Sequence, residues 1–304
     1  MNNQKPLLGF AILSHNHPEQ LFRLIRKLSE MFDEPPISVH HDFSQCELNR
    51  NEFQGNVQFV TPSIVTRWGD WSVTEAALLS IKNLYEREDS PEWMILLSGS
   101  DYPIQKVNKI KAFYENTTYD AFTSSKKLTG TALYTKRERY WFARYNWPKI
   151  TYPSLFHILK SVKKRELVKE PILLKEKWAQ RFLTPFSQDY PCYGGSFWFS
   201  ANQISAKELL HTFKNNKKLC NYYKNVSIPD ESFFVTVLNN AKNLNVYNFN
   251  FRFTDWARNI GPHPKQLNLS DLPALMRAEE HFARKIDMNT DSDLLDKLDE
   301  LTDS

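Results

Sequence analysis

Strand-like and helix-like segments alternate through the N-terminal third of the chain, and this alternation restricts the possible folds more than any other feature of the sequence. Residues 7–13 form an uninterrupted apolar run that predicts a buried strand. The segment that opens at Pro18 then repeats apolar residues at helical spacing. The same reasoning predicts strands at 37–41, 57–60 and 93–97 and a helix at 74–85. This order predicts an α/β fold with a mainly parallel central sheet flanked by helices.

The rest of the chain departs from this alternation before returning to it. Between residues 124 and 190 the pattern is lost, and Tyr, Trp, Lys and Arg become frequent. Residues 194–200 and 246–253 then predict strands, and residues 230–238 predict a helix. An acidic amphipathic helix is expected within residues 288–304. We therefore expect one domain over residues 1–304, with a basic aromatic insertion or lid at 124–190.

Positive charge is concentrated in one segment. The whole sequence has 39 Lys and Arg against 35 Asp and Glu, a net charge of +4, which favours no polyanionic partner. Residues 144–181 hold ten basic and three acidic residues, so this segment has a net charge of +7 and the rest of the chain has −3. Basic residues interleaved with apolar ones suit contact with an anionic membrane, and a solvated lid is the alternative. No recognised nucleic-acid-binding motif accompanies the charge, so no nucleic-acid partner is expected.

The cysteines and the apolar segments bear on the cellular compartment. Cys46, Cys192 and Cys220 are odd in number and widely spaced, which fits neither a disulfide framework nor a zinc site and favours a reducing compartment. No segment reaches the roughly 18 to 20 apolar residues of a membrane span. We expect a cytoplasmic protein, with peripheral contact at the inner membrane face if the basic segment binds lipid.

Polar residues follow three of the predicted strands, at 14–18, 40–44 and 98–103. Ligands of α/β sheets bind beyond the carboxyl ends of the strands, so these loops predict a binding site. In the third loop Asp101 is the only acidic residue, and a lone carboxylate is a weak anchor for Mg²⁺ or Mn²⁺. Imidazole and carboxylate groups in the first two loops suit either metal ligation or hydrogen bonds to a ligand or to neighbouring backbone. These groups belong to His15, His17, His40, His41 and Asp42.

Charged residues near the predicted C-terminal elements have both a structural and a functional interpretation. Asp230 and Glu231 stand at a predicted helix start, with Ser227 as a candidate cap. They either complement the helix dipole or place one carboxylate in the cleft as a general base. Lys265 and Lys285 are either solvated charges or ligands of an anionic group.

Seven short motifs follow one another along the chain: AILSHN at 11–16, VHHD at 39–42, WGDW at 68–71, LLSGSDYP at 96–103, GSFWF at 195–199, PDE at 229–231 and HFARKID at 281–287. In this order they resemble the core-2/I-branching glycosyltransferase family, whose members include β-1,6-N-acetylglucosaminyltransferases and peptide O-xylosyltransferases. The resemblance covers nearly the whole chain except residues 124–190, and seven motifs in order are far more specific than any one of them.

The resemblance implies a GT-A-like fold and inversion at the anomeric carbon. It implies a UDP-sugar as the donor substrate and no metal or other cofactor. At matching positions, Glu231 is implied as the catalytic base and Lys285 as a ligand of the donor diphosphate. Lys265 stands where the animal branching enzymes have an arginine that contacts the same phosphates. The other implied donor contacts are Ser14, Asp42 and Trp68, and the expected acceptor contacts are Asp101, Gly195, Ser196, Asp255 and Trp256.

Two departures from the family pattern limit what the resemblance implies. The three cysteines cannot reproduce the disulfides of the secretory animal members, and Phe253 and Asp255 replace a Trp and a Tyr that bind their acceptors. The acceptor and the compartment therefore cannot be copied from those members. We expect a bacterial-type enzyme that transfers a sugar to a glycan or lipid-diphosphate-linked acceptor in surface polysaccharide biosynthesis. The alternative is a non-catalytic glycan-binding protein on the same fold.

Overall fold

The computed structural model describes residues 5–53, 55–128, 185–257 and 263–303, which form a mixed α/β fold. The strands are β1 (Leu8–Ser14), β2 (Ile37–His41), β3 (Val57–Phe59), β4 (Trp93–Ser98), β5 (Tyr102–Pro103), β6 (Ala121–Phe122), β7 (Ser125–Lys127), β8 (Tyr193–Gly195), β9 (Ser200–Asn202), β10 (Val246–Tyr247), β11 (Arg252–Thr254) and β12 (Phe282–Arg284). The α-helices are α1 (Pro18–Phe32), α2 (Trp71–Tyr85), α3 (Val107–Asn116), α4 (Gln203–Asn215), α5 (Lys217–Tyr223), α6 (Asp230–Asn240), α7 (Leu272–Leu275) and α8 (Ser292–Asp303).

The main sheet has seven strands in the order β10-β6-β9-β4-β1-β2-β3. Strand β9 pairs antiparallel with both of its neighbours, and the other pairs in the sheet are parallel. The predicted α/β class with a mainly parallel sheet is therefore confirmed. Because β1, β2 and β4 run side by side in one direction, their carboxyl ends meet at one edge.

Both faces of the main sheet are covered, which explains the uninterrupted apolar run of β1. Phe10 and Ile12 pack into the core cluster that contains the apolar face of α1. Ala11 points the other way, into the cluster that contains the buried residues of α2 and α6. Pro18 occupies the first turn of α1, where its missing N–H needs no partner.

Two strand predictions are wrong in the same way. In each, the sequence predicted one strand where the structure has two. Within residues 246–253, β10 joins the main sheet, whereas β11 joins a second sheet of order β11-β12-β5. Phe251 lies between them with a φ of 49°, in the left-handed region, so the backbone turns there. Within residues 194–200, the end of β8 pairs with β7, whereas β9 begins only at Ser200. The sequence pattern also missed β12.

The C-terminal tail forms α8, which packs against α1. Leu294, Leu295 and Leu298 are buried in the α1 core cluster. Arg23 donates to Asp296 at 2.6 Å and to Asp299 at 2.7 Å, so acidic residues of α8 face basic residues of α1. None of the helices in the described ranges has the length and apolar character needed to cross a bilayer. The predicted insertion or lid at 124–190 and its basic segment at 144–181 fall mostly outside the described residues and stay predictions.

Candidate active site

A cleft of about 890 Å³ opens at the carboxyl ends of β1, β2 and β4, within the usual size range of small-molecule sites. The edge of the main sheet forms one wall, and the second sheet with the start of α6 forms the other. The predicted site residues that line it are Ser14, Trp68, Gly195, Ser196, Glu231, Trp256 and Lys285. Asp42, Asp101, Asp255 and Lys265 are not among the lining residues, so direct ligand contact by these four stays a prediction.

Hydrogen bonds within the first wall hold the strand-end histidines in place. The Nδ1 atom of His41 lies 3.2 Å from the Ser14 hydroxyl, and its Nε2 atom lies 2.8 Å from the Cys46 carbonyl oxygen. His40 accepts the backbone N–H of Ile64 on Nε2 at 3.1 Å, so that nitrogen is unprotonated. Burial lowers the pKa of both histidines below the usual value. Across the described parts of the chain, no three His, Cys, Asp or Glu side chains converge as a metal site.

Asp42 lies beneath this wall and is 1% exposed. Its Oδ1 atom accepts the backbone N–H of Ser44 at 3.0 Å and the Ser44 hydroxyl at 2.6 Å. Its Oδ2 atom accepts the Gln45 amide at 2.6 Å and the backbone N–H and hydroxyl of Thr66 at 2.7 and 2.8 Å. Burial raises the pKa of Asp42, but hydrogen bonds from Ser44, Thr66 and Gln45 outweigh burial and hold the pKa well below its ordinary value. Asp42 thus positions Gln45 and Thr66, which line the cleft.

Asp101 closes the loop after β4 from below and is fully buried. It accepts the backbone N–H of Ser98 at 2.7 Å and also the Ser98 hydroxyl. Arg252 of β11 donates to the Oδ1 atom of Asp101 at 2.5 Å. The Nε atom of Arg284 lies 3.9 Å from the Oδ2 atom, which is the oxygen that accepts from Ser98. This carboxylate therefore faces two guanidinium groups and joins the two walls of the cleft.

Glu231 lies in the first turn of α6, where the cleft meets the Trp68 loop. Pro229 is the N-cap of α6, so Ser227 is not the cap and that prediction is wrong. The backbone N–H of Ile228, which has a φ of 54°, donates to the carbonyl oxygen of Gly69 at 2.8 Å. Non-glycine residues rarely adopt this conformation, so the bond holds the chain just before Glu231 in a strained turn.

Trp68 reaches over the same end of the cleft and is 68% exposed. The φ of Gly69 is 71°, a value that suits glycine, and its carbonyl group ties the Trp68 loop to the α6 turn. The His263 ring meets the Trp68 ring edge-on, with 5.9 Å between the ring centroids. An exposed aromatic face beside polar strand ends suits stacking on a planar or sugar ring.

Lys285 leaves the end of β12 into the cleft next to Arg284. The Arg284 guanidinium lies 4.2 Å from the centre of the Trp198 ring. Burial lowers the pKa of Arg284 to about 10, against the opposing effect of Asp101. Burial, followed by the charge of Arg284, also lowers the pKa of Lys285. Burial and then the Lys285 charge lower the pKa of His15, so the positive charge of this corner comes from Arg284 and Lys285.

Two of the predicted site residues, Lys265 and Asp255, bind other protein groups. The Lys265 ammonium donates to both oxygens of Asp271 at 2.6 Å. Asp255 accepts the backbone N–H of Ala257 at 2.9 Å, and its carbonyl oxygen accepts the backbone N–H of Lys265 at 2.8 Å. Ligand contact by Lys265 would require its ammonium to exchange Asp271 for the ligand.

The backbone at Ser124 approaches Gly195 so closely that only glycine fits at this position. A Cβ atom at this position would lie 2.0 Å from the carbonyl oxygen of Ser124, a distance that no side chain tolerates. The next residue, Ser196, donates its backbone N–H to the same carbonyl oxygen at 2.7 Å. Gly195 therefore shapes the cleft floor through its small size.

Three charged residues of the cleft were not assigned by the sequence analysis: Arg252, Glu280 and Arg284. Arg284 had a signal, since it precedes Lys285 in the HFARKID motif. Arg252 had none, because the sequence predicted a single strand through its position.

The comparisons with known proteins agree with the order of motifs. A family model for the Core-2/I-Branching enzyme matches residues 8–280. Dog xylosyltransferase 1 is 25% identical over 269 residues, which cover 84% of this chain and 24% of that protein. Rat xylosyltransferase 2 is 24% identical over 321 residues, which cover 97% of this chain and 34% of that protein. The chain thus spans about a quarter to a third of the length of these relatives.

Among solved structures, the apo form of mouse xyloside xylosyltransferase 1 is similar with a TM-score of 0.37 and 10% identity, covering 90% of this chain and 97% of that one. The family match extends over nearly the whole chain and ends just before β12. The chain belongs to the Core-2/I-Branching enzyme family.

Proposed function

We propose that this protein is an inverting glycosyltransferase that moves a sugar from a UDP-sugar to a glycan acceptor without a bound metal ion. One observation carries the proposal: a cleft at the strand ends presents the carboxylate of Glu231 together with the cations of Arg284 and Lys285. Direct displacement at an anomeric carbon needs a base for the acceptor hydroxyl and positive charge for the leaving diphosphate. The cleft supplies both.

In the proposed reaction Glu231 accepts the proton of the acceptor hydroxyl as its oxygen attacks the anomeric carbon. The bond between that carbon and the diphosphate oxygen breaks, and UDP leaves with the electron pair. Lys285 stabilises the charge that grows on the diphosphate, with Arg284 beside it. Attack from the face opposite the leaving group inverts the configuration, and one carboxylate suffices for this step.

Metal independence is supported by the surroundings of Asp101. A divalent cation at this loop would lie close to the guanidinium groups of Arg252 and Arg284, and the carboxylate already accepts hydrogen bonds from Arg252 and Ser98. Such a site repels a metal ion. Activity should therefore persist in excess EDTA, and a strict requirement for Mn²⁺ would contradict this part of the proposal.

The donor-binding role of Ser14, Asp42, Trp68 and Lys265 is part of the same proposal, as is the acceptor-binding role of Asp101, Gly195, Ser196, Asp255 and Trp256. The mammalian relatives are named as xylosyltransferases, so UDP-xylose belongs in any donor panel. Hydrolysis of a panel of UDP-sugars in the absence of acceptor would identify the donor. A UDP-N-acetylglucosamine preference would instead favour a β-1,6-N-acetylglucosaminyltransferase.

The acceptor is proposed to be a glycan or a lipid-diphosphate-linked oligosaccharide in surface polysaccharide biosynthesis, reached from the cytoplasm. Three free cysteines are consistent with a reducing compartment. Peripheral contact with an anionic membrane rests on the composition of residues 144–181. Sedimentation with anionic vesicles at low and high salt tests it, since absence of binding at low salt would exclude membrane contact.

A glycan-binding protein without turnover is the alternative outcome of these tests. Measurable glycan affinity with no hydrolysis of any UDP-sugar would favour that alternative. The proximity of a candidate base to two candidate phosphate ligands favours the enzyme, because a binding module has no use for that combination.

A further inference from the structure

Gln20 is a buried polar residue on the face of α1 that otherwise packs into the apolar core. Its side-chain amide makes three hydrogen bonds, all 2.8 Å long. The Nε2 atom donates to the carbonyl oxygens of Gly99 and Ile286, and the Oε1 atom accepts the backbone N–H of Met288. These contacts use both N–H groups and the oxygen of the amide, so the geometry selects a glutamine.

The segments that Gln20 joins carry one corner of the candidate active site. Gly99 belongs to the loop after β4 that lines the cleft, and Ile286 directly follows Lys285. The backbone N–H of Ile286 also donates to the carbonyl oxygen of Ser100 at 3.0 Å. Gln20 itself does not line the cleft. It therefore lies one layer behind the point where the Lys285 segment meets the loop after β4.

The loop after β4 and the Lys285 segment are distant in sequence, and the short antiparallel pairing of β5 with β12 ends at Tyr102 and Ala283, before Lys285 is reached. Gln20 is 79 residues from Gly99 and 266 residues from Ile286. Beyond the residues paired between β5 and β12, the described hydrogen bonds that hold the Lys285 segment against this loop are the Ile286–Ser100 backbone bond and the bonds of the Gln20 amide to Gly99 and Ile286. A small shift there would displace the Lys285 ammonium relative to Ser98, Gly99 and Ser100.

We propose that Gln20 is a positioning residue, which holds Lys285 in register with the loop after β4 so that the donor diphosphate meets both. This inference rests on the proposed role of Lys285 in donor binding. It adds that the affinity for the diphosphate depends on a residue that never touches it.

The test is UDP affinity, measured by calorimetry in four proteins: the wild type, Gln20→Met, Lys285→Ala and the double variant. Methionine keeps the length of the side chain and removes all three hydrogen bonds. We expect Gln20→Met to weaken UDP binding about tenfold in the wild-type background and less than about twofold in the Lys285→Ala background, because residues that act as a unit are not additive. A purely structural role would lower the melting temperature without this dependence on Lys285.

Gln105→Met is the matched control. The Gln105 amide donates to the carbonyl oxygen of Ala278 at 2.6 Å, across 173 residues of sequence, and does not line the cleft. Its loss should lower the melting temperature and leave UDP affinity unchanged. If Gln20→Met does not fold, Gln20→Glu takes its place in both backgrounds, since it keeps the oxygen that accepts from Met288.

The outcomes separate this inference from the proposed function. An equal loss of UDP affinity in the two backgrounds, or unchanged affinity in a folded Gln20 variant, would overturn the positioning role alone. Unchanged UDP affinity in Lys285→Ala would contradict the donor role of Lys285 and the positioning role with it.

Discussion

The two walls of the cleft are built from contacts of very different range. In the first wall, at the strand ends, Ser14 and His41 are 27 residues apart, and Asp42 and Thr66 are 24 apart. In the second wall, Arg252 reaches Asp101 across 151 residues. The first wall is therefore assembled within successive strand–helix units, whereas the second exists only once the C-terminal elements have packed onto the sheet.

The difference also separates two kinds of chemistry. The first wall presents mainly neutral groups, since burial lowers the pKa values of His40 and His41 and the Asp42 carboxylate is taken up by hydrogen bonds within the protein. The second wall presents the charges, with Glu231 on α6 and Arg284 and Lys285 at the end of β12. Under the proposed function, shape recognition falls mainly to the first wall and reaction chemistry to the second. Four tests probe this division, from the largest expected effect to the smallest.

Glu231→Gln should have the largest effect, because it removes the proposed base from the second wall while leaving the shape of the cleft. We expect turnover to fall by roughly two to four orders of magnitude, the usual range for a general base, with UDP affinity unchanged. Steady-state kinetics and calorimetry would measure the two quantities. Asp230→Asn is the control on the same helical turn, and normal turnover in Glu231→Gln would make Asp230 the candidate base.

Asp101→Ala should remove the ion pair with Arg252 that connects the two walls. It would leave the buried Arg252 guanidinium without its carboxylate, and losing one partner of a buried ion pair costs about 3–5 kcal/mol of unfolding free energy. Urea denaturation would measure the loss. Lys297→Ala, which breaks an exposed pair with Glu300, should cost less than about 1 kcal/mol. Similar costs for the two variants would show that the Asp101 pair does not hold the walls together.

Sequence reasoning predicted the first wall well because its physics is local. Apolar runs placed β1 and β2 within one residue, and Pro18 marked the start of α1. Parallel packing then fixed which loops would meet at the sheet edge. What the pattern could not show was the orientation of each polar side chain, such as the hydrogen bonds that the Asp42 carboxylate accepts from the loops beneath the cleft.

The second wall was harder to predict because its elements are short and depend on distant partners. Strands β11 and β12 have three residues each, and the turn at Phe251 separates two strands that alternation alone had merged. The bonds of Gln20 to the Lys285 segment have no local signature. Only the ordered motifs identified Glu231 and Lys285, and the family resemblance implied phosphate contact for Lys265, which is paired with Asp271, as well as for Lys285.

A comparison of the two lysines would sharpen this point. Lys285→Ala should weaken UDP binding by about 1.5–3 kcal/mol, the range of a charge-assisted hydrogen bond. Lys265→Ala should have a smaller effect, because its ammonium must first leave Asp271. Calorimetry with UDP measures both, and an equal or greater loss in Lys265→Ala would show that this lysine turns into the cleft when the donor binds.

Asp42→Asn, in the first wall, should have the smallest effect, because a neutral amide keeps the shape and some of the hydrogen bonds to Ser44 and Thr66. We expect a loss on the order of 1 kcal/mol of unfolding free energy near neutral pH, with little change in turnover. The pKa of Asp42 in the folded protein lies below its ordinary value of about 3.9, so its charge stabilises the native state above that pH, and this stabilisation is lost as the pH falls toward the folded-state pKa. Urea midpoints of the wild type and the variant should therefore differ most at pH 5–7 and converge below about pH 4. A difference that stays constant across this range would mean that the hydrogen bonds of Asp42 do not depend on its charge.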